Sequence, residues 1–361
     1  MSALKIGLVG CGRIAQLVHL NVLTSLPNVE LVALAEPDPQ QRAEASSKAP
    51  RAIVFTSYQE LLTRAEVEAV VICLPNGLHA DAAVAALEVG KHVYLEKPLA
   101  TTLGEAERIL AAWEPTRVVG MIGFNYRFNA LYQSARQYIQ SGRLGELMGA
   151  RSVFCTASRS LPEWKRLRES GGGVLLDLAS HHVDLVPFLF GREIQEVFAT
   201  AGVKNGQDDS AMLHLRLRGG VEVQSFFSRG SVEEDRFEIY GSEAKLTVDR
   251  HRFLNLEVSD FKRGPSRIAL LRQGMRSLLT SPYTLDKVFA PTREPSYQAA
   301  LAHFAAAVSS SDRYVSPNFW DGYRSLAIIT AAEESARTGQ VVSLPDVAEE
   351  NKHAGARSTR P

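Results

Sequence analysis

Residues 4 to about 123 repeat one rhythm, a short unbroken apolar run followed by a helical pattern. The runs are "LKIGLV", "VELVALA", "AIVF", "AVVICL", "HVYL" and "RVVGMIGF". Apolar runs without polar alternation belong to strands buried on both faces, the condition of a parallel sheet shielded by crossover helices. Helix start signals lie between them. Ser57-x-x-Glu60 and Thr102-x-x-Glu105 have capping-box spacing, and Gly90 closes a helix over 80–89. A doubly wound α/β sheet follows as the expected fold of residues 1–123.

The rhythm changes after a helix that ends near Gly142. "MGARSVFCTAS", "EVFATAGV", "SAMLHLRLR", "GVEVQSFFS", "DRFEIYG", "AKLTVD" and "FLNLEV" alternate with period two in places and are joined by short Gly- or Asp-bearing turns. That pattern predicts an antiparallel sheet with one exposed face. Helices over 296–309 and about 321–337 and a last strand, "VVSL", complete a second domain over 124–345. The polar tail 346–361 is expected to be disordered. The stretch 260–294 has no clear period and carries Lys262, Arg263, Arg267, Arg272 and Arg276. It is expected to form a solvated or subunit-contact surface rather than a contact with an anionic substrate.

A chain of 361 residues is long enough for two cores. Forty basic residues balance forty acidic ones, so no long-range field draws a polyanion and nucleic acid is an unexpected partner. No run reaches the ~18 apolar residues of a membrane span, and Met1 leads almost directly into the first strand with no room for a signal peptide. The cytoplasm is the expected compartment. Cys11, Cys73 and Cys155 are odd in number and scattered, which predicts buried thiols rather than a disulfide framework or zinc knuckle.

The first strand runs into "GLVGCGRIA", in which Gly10-x-Gly12-x-x-Ala15 opens a helix over 13–26. Gly10 permits a tight turn, Gly12 lets backbone approach a pyrophosphate, and Ala15 allows helix and strand to pack closely. Free amides at the helix start, around Arg13 and Ile14, face the anion. Glu36 ends the second strand, where a carboxylate accepts ribose hydroxyls and repels a 2′-phosphate, so NAD is expected over NADP. In such a sheet ligands lie beyond the carboxyl ends of the strands. "LPNGLHAD" places Pro75, Asn76 and His79 at that edge, and "HVYLEKPLA" places Glu96, Lys97 and Pro98 there. A lysine beside a cationic nicotinamide and away from water has its ammonium disfavoured, which suits it to proton exchange or hydrogen bonding with a hydroxyl.

The second domain offers "GGGVLLDLASHHVDL", where Asp177, His181 and Asp184 fall at i, i+4 and i+7 on one helical face. An imidazole titrates near neutrality and takes a hydroxyl proton as hydride leaves the same carbon, while a carboxylate one turn away is expected to orient it. No ligand set for a metal is visible, so none is expected.

Taken in order, the glycine fingerprint, "LPNGLHAD", "YLEKPLATT", "GFNYRFN" and "GGGVLLDLASHHVDL" resemble the glucose-fructose oxidoreductase and inositol dehydrogenase family (Gfo/Idh/MocA) over about residues 4–344. "YGSEAKLTVD", Tyr297 ahead of a helix with Phe304, and "SARTGQVVSL" continue the likeness. The resemblance implies a Rossmann domain followed by an α/β domain with a large, open, mainly antiparallel sheet often used in oligomer contacts. It implies Lys97, Asp177 and His181 as catalytic residues, His181 being the general acid/base, and Tyr126, Arg127 and Trp164 as substrate contacts. Glu96 and Lys97 join Gly10, Gly12, Arg13, Ile14, Glu36, Pro75, Asn76 and His79 at the cofactor. Leu74 departs from the family's threonine before Pro-Asn.

The resulting expectation is an NAD-dependent dehydrogenase acting on a secondary alcohol of a sugar, sugar derivative or cyclitol, phosphorylated or nucleotide-linked forms included, and assembled as a homo-oligomer. Two alternatives stand beside it: an NAD-requiring glycoside hydrolase, and a nicotinamide sensor without turnover. A sensor needs only the cradle, so Lys97, Asp177 and His181 together speak for an enzyme.

Overall fold

The computed structural model of the chain describes residues 3–158, 161–166, 168, 171–204, 207–251, 255–260 and 294–345. Most of the basic stretch 260–294 and the tail 346–361 lie outside the described residues.

The apolar runs become β1 (Leu4–Val9), β2 (Val29–Ala35), β3 (Ile53–Phe55), β4 (Ala69–Ile72), β5 (His92–Leu95) and β6 (Gly120–Ile122). All are parallel and ordered β3-β2-β1-β4-β5-β6, so the sequence order reverses between β1 and β4. Ligands collect at such a reversal. The intervening helices are α1 (Leu20–Ser25), α2 (Pro39–Lys48), α3 (Tyr58–Arg64), α4 (His79–Glu88) and α5 (Leu103–Trp113). At the start of α5, Thr102 and Glu105 exchange both capping-box bonds. Ser57 caps α3 through the amide of Glu60.

The second sheet comprises β7 (Leu147–Cys155), β8 (Ile194–Lys204), β9 (Gln207–Leu217), β10 (Glu222–Ser228), β11 (Glu234–Gly241), β12 (Ala244–Asp249), β13 (Glu257–Asp260) and β14 (Val342–Ser343). Their order is β13-β12-β11-β7-β10-β9-β8-β14, and only β7 and β10 run parallel. The alternation read from the sequence is real: Phe237 and Ile239 of β11 point into the core, while Phe198 (39% exposed) and Met212 (59%) lie on the open face. The helices of this half are α6 (Ala130–Gln140), α7 (Glu163–Arg166), α8 (Ser180–Phe190), α9 (Ser296–Ser310) and α10 (Phe319–Thr338).

The last two helices do not stay with the second sheet. Leu301 and Phe304 of α9 share a core with Leu8, Tyr94 and Met121 of the first sheet. α10 packs on α5 and β6 on one side and on β8 and α8 on the other. Apolar burial of this kind contributes roughly 25 cal/mol per Å² of surface removed from water. It holds the carboxyl edge of the first sheet against the second half.

Candidate active site

Two helices that lead away from this edge begin in π-helical turns, Ala15–His19 before α1 and Leu175–Ala179 before α8. Such turns re-aim side chains and recur at functional sites. The first follows the glycine loop, and the second follows the "GGG" run.

At the glycine loop the chain makes two different demands. Gly10 has φ +85°, and a Cβ there would come within 2.7 Å of the Cys73 carbonyl oxygen. Its glycine is required by the fold itself. A Cβ on Gly12 would meet nothing closer than Gln41 Oε1 at 3.6 Å. Space is therefore open over Gly12, as a cradle for a pyrophosphate needs. Arg13 is exposed and Ile14 half-buried beside it. The Glu36 carboxylate accepts from the amides of Cys11 (2.7 Å) and Asp38 (3.0 Å), which fixes it beside the glycine turn. Arg42 is committed to the Glu36 and Pro37 carbonyls. The residues present fit a dinucleotide bound across the β1/β4 reversal.

Asn76 ties the halves together, its amide donating to the Gly171 carbonyl at 2.7 Å. Gly171, at φ +88°, lies so close that a Cβ would stand 2.8 Å from Thr101 and 3.0 Å from Asn76. Pro75 caps the short 3₁₀ turn Asn76–Leu78 that precedes α4. His79 has a different place from the one expected. It is fully buried, with Nδ1 2.7 Å from the Pro98 carbonyl and Nε2 3.0 Å from that of Leu74. Burial lowers its pKa. A neutral ring donates once, and we assign that bond to the shorter contact. His79 thus fastens the β4 and β5 loops to each other, and full burial keeps its ring away from the cofactor.

Lys97 reaches across to the second half. Its Nζ donates to the Asp177 carbonyl at 2.7 Å and lies 3.3 Å from Asp177 Oδ1, with both side chains mostly buried. Burial depresses the ammonium pKa, opposed in part by Asp177. The Asp177 carboxylate also holds Lys165 Nζ at 3.1 Å and Arg229 at 3.0 Å. Burial acts to raise its pKa, but Lys97, Lys165 and Arg229 outweigh it and hold the group well below the usual carboxylate range.

His181 stands one turn further on. Tyr126 stacks on it at 4.3 Å between ring centroids, and Phe154 meets it edge-on at 5.8 Å. Burial, then the nearby Lys97 charge, push its pKa well below 6.5. The imidazole is a neutral base that senses Lys97.

Two expectations about this helix are corrected. Asp177 does not orient His181; its carboxylate is taken up by three cations, and His181 Nδ1 has no hydrogen-bond partner among the described residues. Nor do Asp177, His181 and Asp184 act as one stripe. The π-helical turn offsets Asp177, while Asp184 binds Arg127 through contacts of 2.5 and 2.8 Å. Arg127 also bonds Asp321 and Ser316, so the guanidinium expected at the substrate locks α8 to the start of α10. Tyr126 is at the site. Trp164, half-buried on α7, has Lys165 Nζ 5.8 Å from its ring centroid, and that same ammonium reaches Asp177.

The sequence reading missed Lys165 and Arg229, which neutralise Asp177, and His19, whose Nε2 lies 2.7 Å from Glu96 Oε1. These partners are remote in sequence, and only the "LVH" in the middle of the fingerprint helix hinted at a buried histidine.

A glycine cradle, a ribose-site acid and a lysine at the switch point of a Rossmann sheet define an NAD-binding oxidoreductase. Comparison with known proteins agrees. The profile of the oxidoreductase family with an NAD-binding Rossmann fold matches residues 4–124, and that of the GFO/IDH/MocA C-terminal domain matches 132–247. The chain belongs to the GFO/IDH/MocA family. It is similar to the inositol 2-dehydrogenase of Rhizobium meliloti, 27% identical over 351 residues that cover 94% of this chain and 99% of that protein. It is also 27% identical to the levoglucosan dehydrogenase of Pseudarthrobacter phenanthrenivorans over 403 residues, covering 96% of this chain and 100% of that protein. Among solved structures, a levoglucosan dehydrogenase in complex with NADH and levoglucosan matches with a TM-score of 0.82 at 25% identity, covering 96% of this chain and all of that one. Among the described residues no helix is long and apolar enough to cross a membrane, and no cluster of metal-binding side chains occurs.

Proposed function

We propose that the chain catalyses reversible, NAD-dependent hydride exchange at a secondary alcohol of a sugar, sugar derivative or cyclitol, with Lys97 and His181 handling the proton. The observation that carries this reading is the Lys97–Asp177 contact across the two halves. It sets an ammonium of depressed pKa next to the helical turn that bears a neutral imidazole. The names of the relatives, inositol and levoglucosan dehydrogenases, supply the class of alcohol.

The bound nicotinamide supplies the hydride acceptor. The chain's own groups do the rest. Lys97 donates a hydrogen bond to the reacting hydroxyl, and Asp177 holds Lys97 from behind. Neutral His181 accepts the hydroxyl proton at Nε2, and the Tyr126 and Phe154 rings fix its plane and keep water from it. In the reverse direction His181 returns the proton. Pro75, Asn76 and Glu96 shape the nicotinamide end of the cradle, Gly12, Arg13 and Ile14 the pyrophosphate, and Glu36 the ribose, with NAD favoured over NADP. Trp164 and Tyr126 wall the substrate side. The division of labour follows a boundary near residue 123, and the open sheet face, with Phe198 and Met212 on it, serves assembly into a homo-oligomer.

The test is NAD⁺ reduction over a panel of myo-inositol, levoglucosan, other aldoses and polyols, sugar phosphates and nucleotide sugars. Stoichiometric NADH with a ketone product is the expected result. Cleavage of a glycosidic bond without net NADH would replace the reading by the hydrolase, and binding without any turnover would replace it by the sensor.

A further inference from the structure

Glu96 and Lys97 are adjacent, yet each is anchored in a different part of the molecule. Lys97 is held on the Asp177 carbonyl in the second half. Glu96 is held by His19, which the π-helical turn Ala15–His19 directs inward from the helix after the glycine loop. The His19 ring is fully buried and the Glu96 side chain nearly so. Tyr94 and Tyr297 meet the His19 ring edge-on at 6.0 and 5.9 Å and flank it on two sides. On the other side of Glu96, a Cβ on Gly123 would come within 3.2 Å of its carboxylate, which leaves that group little room to move. The Glu96 amide is bonded to the Ile72 carbonyl, so the strand end itself is fixed.

We propose that His19 is a positioning residue for Lys97. With Nε2–H donating to Glu96 Oε1, His19 pins the Glu96 side of the turn, and the peptide that carries Lys97 is held from both flanks. A second consequence is electrostatic. Lys97 senses Glu96 as well as Asp177. Holding the Glu96 carboxylate on His19 prevents it from competing with Asp177 for the ammonium, so Lys97 keeps the contact that aims it at the substrate hydroxyl. The same bond makes the cradle helix and the Lys97 turn one rigid unit. The inference rests on the reading of Lys97 as a proton-handling group.

The test compares His19→Leu, His19→Asn and His19→Gln with the parent protein and with Lys97→Met. The readouts are NADH affinity, crystal structures of the NADH complexes, and turnover of the sugar or cyclitol oxidised fastest among levoglucosan, myo-inositol and L-sorbose. His19→Leu removes the donor, and His19→Asn leaves the amide too short to reach Glu96. Both are expected to bind NADH within about threefold of the parent. Both are expected to release Lys97 Nζ from the Asp177 carbonyl and to lose about 10- to 100-fold in turnover, the scale of a small misplacement at a reacting group. His19→Gln, whose Nε2 takes the place of the imidazole nitrogen, is expected to restore both. The proposal is overturned if Lys97 stays in place at full turnover in His19→Leu or His19→Asn. It is overturned equally if His19→Gln loses as much as they do, or if NADH affinity falls in step with turnover. Full turnover in Lys97→Met would instead remove the role of Lys97 itself, and that of His19 with it, whereas an inactive Lys97→Met beside a fully active His19→Leu would remove only the role of His19.

Discussion

Asp177 and Asp184 stand two turns apart on one helical segment, the first mostly and the second fully buried and both paired with cations, yet their surroundings pull in opposite directions. Asp177 faces Lys97, Lys165 and Arg229, and their combined field overcomes burial and keeps it ionised. Asp184 faces Arg127 with a second carboxylate, Asp321, close by, and there burial wins and raises its pKa to about 6. Desolvation of a carboxylate is offset only when enough positive charge is brought to it. The first cluster holds Lys97, the lysine to which we assign the proton handling. The second locks two helices, with Arg127 bonded to Asp184, Asp321 and Ser316.

The largest effect that separates the two clusters is expected on turnover. Lys97→Met and His181→Ala should each lose roughly 100- to 10,000-fold in kcat, the usual contribution of a placed acid/base group, while NADH binding measured by fluorescence stays within a few fold. Near-parental rates in both would place the chemistry elsewhere. Arg127→Lys, which acts on the second cluster, should affect melting temperature more than kcat.

Next in size, Asp177→Ala should destabilise the protein by about 3–5 kcal/mol, because three cations are left without their counter-charge. Equilibrium denaturation measures this, and a change under about 1 kcal/mol would contradict it.

The two aspartates also set opposite pH slopes of stability. Asp177, with its folded pKa depressed, adds stability above the ordinary carboxylate range that is lost as pH falls through and below it. Asp184 titrates near 6 in the fold against 3.8 as an ordinary aspartate, so the folded state binds more protons between those values. Stability from this group declines as pH rises from about 4 to about 6 and is level above. Asp184→Asn should flatten that decline in a series of thermal melts, and an unchanged slope would assign it to another group.

A smaller contrast lies in the glycine loop. Gly12→Ala meets the chain only in an ordinary contact, 3.6 Å from Gln41 Oε1, so it should melt within a degree or two of the parent yet bind NADH at least tenfold more weakly. Gly10→Ala should fold less stably by about 1–3 kcal/mol, since it combines a positive φ with a backbone clash. Equal stability losses in both would mean that the space over Gly12 is not a cofactor cradle.

The parallel sheet was legible because double burial leaves an unmistakable apolar run, and the cradle because its glycines, helix start and strand-end acid are close in sequence. What escaped was pairing across long separations. Arg229 follows β10 and Lys165 sits on the short helix α7, and neither carries a local mark that it will meet Asp177. The stripe of Asp177, His181 and Asp184 was read from ideal helical spacing, which the π-helical turn breaks. Periodicity marked α9 as a helix but gave no sign that Phe304 would pack against Tyr94 of the first sheet. Motif position points His79 and Arg127 at ligands, whereas the burial of His79 and the ion pairs of Arg127 with Asp184 and Asp321 give both structural work.

The most direct measurement is a crystal structure of the complex with NADH and the sugar or cyclitol turned over fastest. One substrate hydroxyl should lie within about 3.2 Å of both Lys97 Nζ and His181 Nε2, with its carbon facing the nicotinamide. A substrate that packs against the nicotinamide with its reacting hydroxyl beyond reach of either group would contradict the shared role of the two halves.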